Sequence, residues 1–180
     1  MKDLSMHIMD IVQNSISAAA NLIEINIRIR KDLDLYQLDI LDNGKGMDEE
    51  ILLKVTDPFF TTRKTRKVGM GIPLLKMNAE RTGGKFRIHS TPGKGTSVLT
   101  EFKPEHPDML PEGDLEGTIV LLCHSNPEIH FIFIYQVEEN SYCFDTEEIK
   151  EALGDIGISE PIVYPMLKEL LKSNLEEIRK

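Results

Sequence analysis

The chain has 180 residues, 41% hydrophobic and 28% charged, enough for one packed domain with an appendage. A formal net charge of −9 argues against nucleic acid or an anionic membrane as a partner. No apolar run approaches the roughly 20 residues of a membrane span, and "MKDLSMHIMD" carries acids where a signal peptide is apolar, so the cytoplasm is the expected location.

In chain order, residues 4–21 read as a helix. Leu4, Ile8, Ile11, Ser15 and Ala19 share a core-facing stripe, while His7, Asp10, Asn14 and Ser17 share a wholly polar one. "IEINIRIR" then alternates strictly, and "LYQLDIL" is a second strand after the polar turn "KDLD". The apolar face of these strands needs a helical layer, which the first helix supplies. A short helix is expected from Asp48 and a longer one over residues 72–82, with Pro73 in its first turn and Gly83 past its end. "GKFRIHS" and "TSVLTEF" read as paired strands around "TPGKG".

The charge balance changes at the proline-rich stretch "KPEHPDMLPEGD". Residues 1–103 carry 16 Lys+Arg against 13 Asp+Glu, and residues 104–180 carry 5 against 17. That divides the chain into a core, 1–103, and an acidic extension, 104–180, packed on the same domain. In the extension, "GTIVLLC", "IHFIFIYQV" and "SYCF" read as strands that extend the sheet. "TEEIKEAL" ends at Gly154, and Ser159 caps a last helix with Ile162, Met166, Leu170, Leu171 and Leu175 on its packed stripe or on a partner or dimer surface. Cys123 and Cys143 lie in apolar segments and read as buried reduced thiols.

Three polar elements stand out. "DNGKGM", residues 42–47, follows a strand; taken alone it is a common turn. A buried Asp42 there would accept a hydrogen bond from an exocyclic amine, with Gly44 and Gly46 admitting base and sugar. Gly69 and Gly71 precede a helix whose free N–H groups favour phosphate. On the first helix, Asp10 and Asn14 stand one turn apart. The Asn oxygen suits Mg²⁺, and a carboxylate one turn away suits activation of a nucleophile; a solvated helix face is the bland alternative.

Taken in order, "HIMDIVQNSISAAA", "DNGKGM", "DPFFTTRKTRKVGMGIPLLK" and "GKGTSV" resemble the N, G1, F and G2 boxes of the GHKL ATPase superfamily. The superfamily includes histidine-kinase catalytic domains, mismatch-repair ATPases, type II topoisomerases and anti-sigma-factor kinases. The resemblance covers residues 4–103. It implies the Bergerat fold, an α+β two-layer sandwich with a mixed sheet, helices on one face, and ATP held under a lid. It further implies Asn14 as the Mg²⁺ ligand, Asp42 as the adenine reader beside Gly44 and Gly46, Gly69 and Gly71 facing phosphate, and Thr96 supporting the adenine site. Lys64, in the basic run of the lid, would reach phosphates.

The chain departs from the family pattern in places. Position 10 is Asp where hydrolytic members carry Glu, so the base is one methylene shorter. Lys67 replaces the first glycine of a kinase-type G-x-G-x-G run, and Ser17 replaces a basic residue. No segment resembles the kinase dimerisation helices with their phosphoacceptor His, and His7 reads as a site-lining or surface residue. The expectation is a stand-alone module that hydrolyses ATP or phosphorylates a partner protein with Mg²⁺ and Asp10 as catalytic residue, with a homodimer as one candidate assembly. The alternative is a non-catalytic ATP-dependent switch.

Overall fold

The computed structural model describes residues 1–57 and 70–180. The chain order is α1 (Leu4–Ser17), β1 (Leu22–Arg30), a 3₁₀ turn (Lys31–Leu33), β2 (Leu35–Asp42), α2 (Glu49–Lys54), α3 (Gly71–Arg81), β3 (Lys85–Thr91) and β4 (Gly95–Phe102). Then come α4 (Leu115–Ser125), β5 (His130–Val137), β6 (Asn140–Asp145), α5 (Thr146–Leu153) and α6 (Val163–Arg179).

The strands form one sheet in the order β3-β4-β2-β1-β5-β6. Among the described residues only β1 and β5 run parallel; the other pairs are antiparallel. The alternation read in β1 sets the register of the core. Ile25 stands opposite Ile40 on one side and Phe133 on the other, and Ile40 stands opposite Val98. These residues are buried, with Ile23, Ile27, Tyr36, Leu38, Phe102, Phe131 and Tyr135. Helices cover this face, burying Leu4, Ile8 and Ile11 of α1, Leu75 and Ala79 of α3, Ile119 and Leu122 of α4, and Leu167 and Leu171 of α6. The mixed α+β sheet with a helical layer is the expected architecture. Among the described residues no helix is long and apolar enough to cross a membrane.

Several local readings are corrected. "GTIVLLC" is helical, not a strand. Asp114 accepts from the Gly117 N–H at 3.0 Å, which starts α4, and the buried positions 115, 119, 120, 122 and 123 follow helical spacing. α6 begins at Val163, and the hydroxyl of Ser159 instead donates to the His124 carbonyl at 2.7 Å. Pro165 lies in the first turn of α6, where its missing N–H costs nothing. The buried stripe of α6 is Val163, Leu167, Leu171 and Leu175; Ile162, Met166 and Leu170 are exposed. α1 stops at Ser17, because Ala19 turns to a left-handed φ of 58° and faces solvent, leaving Ala20 to be buried. Cys143 is exposed, since it alternates with the buried Phe144; Cys123 is buried as expected.

The proline-rich stretch is strapped to α1. The N–H groups of Leu4 and Ser5 donate to the carbonyls of Pro111 and Glu112, each at 2.9 Å, and Asp3 accepts from Met6 N–H at 2.9 Å. These bonds satisfy N–H groups that a helix start leaves open. The Glu112 side chain reaches further. Its Oε1 accepts from the hydroxyls of Tyr36 at 3.0 Å and Tyr135 at 2.9 Å. Its Oε2 accepts from Arg179 at 2.8 Å, and Arg179 also reaches Glu116 at 2.8 Å. Burial foremost, and then the Glu112 charge, push the Tyr36 and Tyr135 hydroxyls above their ordinary range, so both stay protonated and donate.

Arg179→Met should therefore destabilise the protein by about 1–3 kcal/mol, because it leaves a partly buried carboxylate short of its cation. Urea unfolding of the two proteins measures this. An unchanged midpoint would show that solvent already screens the cluster.

Candidate nucleotide site

Asp42 ends β2 on the helix-covered face, in register with Ile23 of β1 and Thr96 of β4. Its carboxylate is held by three donors. Oδ2 accepts from the Ser15 hydroxyl at 2.6 Å, while Oδ1 accepts from the N–H groups of Gly44 at 2.9 Å and Thr96 at 3.3 Å. An ionised carboxylate offers about four acceptor positions, so one remains, on Oδ2. Thr96 is fixed in turn: its hydroxyl lies 2.8 Å from that of Ser90, which bonds the Gly95 carbonyl and accepts from Met47 N–H at 2.8 Å.

The loop after Asp42 is clamped by Asn43. Its side-chain oxygen accepts from the N–H groups of Asn21 and Leu22, both at 3.0 Å. The two glycines here serve the protein's own packing. A Cβ on Gly44 would stand 2.8 Å from the Ala18 carbonyl, and Gly46, at φ 67°, would drive one into the carbonyl of Thr91. The fold itself thus requires glycine at both positions.

Asp10 and Asn14 lie half-buried on α1, before Ser15. Asp10 is pressed against the start of α3: a Cβ on Gly71 would stand 3.3 Å from Asp10 Oδ2. Among the described residues no side chain caps the N-terminus of α3. α1 therefore carries two polar places, Ser15 against Asp42 and Asp10 against Gly71, with Asn14 between them. Lys64, Gly69 and the basic run around them lie outside the described residues. No group of three His, Cys, Asp or Glu able to hold a metal occurs among the described residues.

Two residues of this region escaped sequence reasoning. Ser15 reads as a core position, yet its hydroxyl orients Asp42; a serine on an otherwise apolar stripe was the available signal. His7 is fully buried rather than at the surface, because α1 packs against α3 there. Its Nε2 lies 2.9 Å from Asn78 Nδ2, and its Nδ1 has no partner among the described residues. Burial, and then the charge of the N-terminal amine, push the His7 imidazole down to about 4.

His7 therefore stays neutral in the folded protein while the unfolded chain takes up a proton near pH 6.5. The folded state therefore loses stability relative to the unfolded chain as pH falls from 6.5 toward 4, by about 3 kcal/mol in all, and loses none from this group above pH 6.5. Denaturant titrations between pH 7 and 4 should show this loss, and His7→Gln should flatten it. An equal slope in both proteins would assign the loss to other groups.

Comparison with known proteins points the same way. The family described as "Histidine kinase-, DNA gyrase B-, and HSP90-like ATPase" matches residues 2–106. The chain is similar to the sensor protein kinase FleS of Pseudomonas aeruginosa, 34% identical over 89 residues that cover 49% of this chain and 22% of that protein. It is also similar to the sensor kinase CckA of Brucella abortus, 27% identical, covering 87% of this chain and 20% of that protein. The chain thus spans about a fifth of the length of these relatives. Among solved structures, the MutL ATPase domain of Aquifex aeolicus complexed with ADP superposes with a TM-score of 0.56 at 15% identity, over 85% of this chain and 69% of that one.

Proposed function

We propose a function from one premise: this chain belongs to the family of histidine kinase-, DNA gyrase B- and HSP90-like ATPases. On that footing it is an ATP-binding module that, with Mg²⁺, hydrolyses ATP or transfers its γ-phosphoryl group to a partner protein in the cytoplasm. The observation that carries the reading is the Asp42 carboxylate, fixed by Ser15, Gly44 and Thr96 with one acceptor position left on Oδ2. An adenine amine, an N–H donor, complements that position. At the other end of the site, the start of α3, which no side chain among the described residues caps, has N–H groups that suit phosphate oxygens.

Mg²⁺ suits the chemistry of Asn14, whose oxygen would be one hard ligand, with phosphate oxygens and water supplying the rest, which is how this ion is usually held. Bound there, it would neutralise charge on the phosphates. On this reading Asp10, which lies against Gly71, orients an attacking hydroxyl or water and takes its proton. Gly69 and Lys64 complete the reading as further phosphate contacts. A homodimer, or a partner that accepts the phosphoryl group, belongs to the same proposal.

A non-catalytic switch is the second reading, favoured by Asp10 itself, which reaches one methylene less far than Glu. Asp42→Asn should weaken ATP binding by about 2–4 kcal/mol, because it turns a donor toward the base's amine or toward its own N–H partners. Calorimetry with ATP is the measurement, and an unchanged affinity would remove the adenine assignment. Asp10→Ala should keep ATP binding but lower phosphate release or transfer by about 10²–10⁴-fold. A wild-type protein that binds ATP without turning it over would favour the switch.

A further inference from the structure

Two helices form the wall of the site where Asp10 meets Gly71, and a second contact ties them together. Seven residues beyond Gly71, Asn78 Nδ2 lies 2.9 Å from His7 Nε2, one turn of α1 before Asp10. His7 and Asp10, three apart, share one face of α1. The His7 ring is completely buried, and in either tautomer one ring nitrogen is left without a partner among the described residues. A buried unpartnered nitrogen costs stability that a leucine of similar size would not. The residue is thus a poor choice for packing, while its one bond is directional. It ties α1 to α3 at a second place besides the contact of Asp10 with Gly71.

We propose that His7 is a positioning residue: through Asn78 it locks α3 to α1 and so holds the start of α3, whose N–H groups receive the triphosphate end of the nucleotide, in place against α1. This rests on the nucleotide reading given above. The adenine end depends on Ser15, Asp42 and Thr96, more than two turns of α1 away, and does not depend on this bond.

The test is calorimetric titration of the full chain with adenosine, Mg·ADP and Mg·ATP, with melting curves alongside, for wild type, His7→Leu and Asn78→Ala. Asn78 is only partly buried and Ala is a good helix former, so Asn78→Ala is expected to fold even where His7→Leu does not. Both variants should weaken Mg·ATP by about fivefold or more, the size of one lost hydrogen bond to a buried group, and leave adenosine within about twofold. His7→Gln, which keeps a partner for Asn78, should restore part of the loss. Equal weakening of adenosine and Mg·ATP, or unchanged Mg·ATP affinity, would reduce the bond to ordinary packing and overturn the proposal while leaving nucleotide binding intact. A wild-type chain that binds neither ligand would remove the nucleotide reading and this proposal together.

Discussion

The Glu112 carboxylate is the interaction on which the rest of the structure leans. It lies in the proline-rich stretch that joins two regions of opposite charge balance, and it meets both. Its backbone carbonyl accepts from the Ser5 N–H and hydroxyl at the start of α1, and its side chain collects Tyr36 of β2, Tyr135 of β5 and Arg179 at the end of α6. A carboxylate in this half-buried place is tolerable only because its oxygens are matched, one by two hydroxyls and one by a guanidinium. Arg179 also stacks over the Tyr135 ring, 5.2 Å from its centre, so the cation is held in place as well as paired. Helix α1, and with it every polar group of the candidate site that α1 carries, is anchored at its first turn by this cluster.

From that anchor α1 works as a ruler. At 1.5 Å per residue, His7, Asp10 and Ser15 are spread over roughly 12 Å of helix. Each meets a different place on two elements: Asn78 far along α3, Gly71 at the start of α3, and Asp42 at the end of β2. A site built this way is set by one rigid helix rather than by loops. Asn43 adds to the rigidity by pinning the glycine-containing loop to the start of β1 through two N–H bonds.

Much of this was legible in the sequence, because its physical causes are local. Strict alternation in "IEINIRIR" marks a half-covered strand, and β1 has that register. The order of the polar boxes singles out Asp10, Asn14, Asp42, Gly71 and Thr96, and the fold brings Thr96 against Asp42 and Gly71 against Asp10. The failures share a different cause. "GTIVLLC" is rich in β-branched and apolar residues and reads as a strand, but an Asp cap and burial on nearly all sides make it a helix. In α6 the apolar sector is wider than one stripe, so spacing alone could not say which line of residues faces the core. Val163, Leu167, Leu171 and Leu175 do, and Met166 and Leu170 do not. Both errors concern which surface a helix meets, and that is decided by partners distant in the chain.

The buried polar residues of α1 are of another kind. Ser15 and His7 are both buried on α1, at positions where an apolar residue would serve the core better. A serine hydroxyl gains little there by packing, and an imidazole with one unmatched nitrogen loses by it. Each nonetheless makes one short directional bond, Ser15 to Asp42 and His7 to Asn78. Sequences that fold well are locally consistent, and their exceptions gather where geometry matters more than stability. On α1 the exceptions flank Asp10 and Asn14 on either side along the helix. Burying polar groups at the two ends of this stretch costs stability, and it fixes the separation between the Asp42 end of the site and the start of α3.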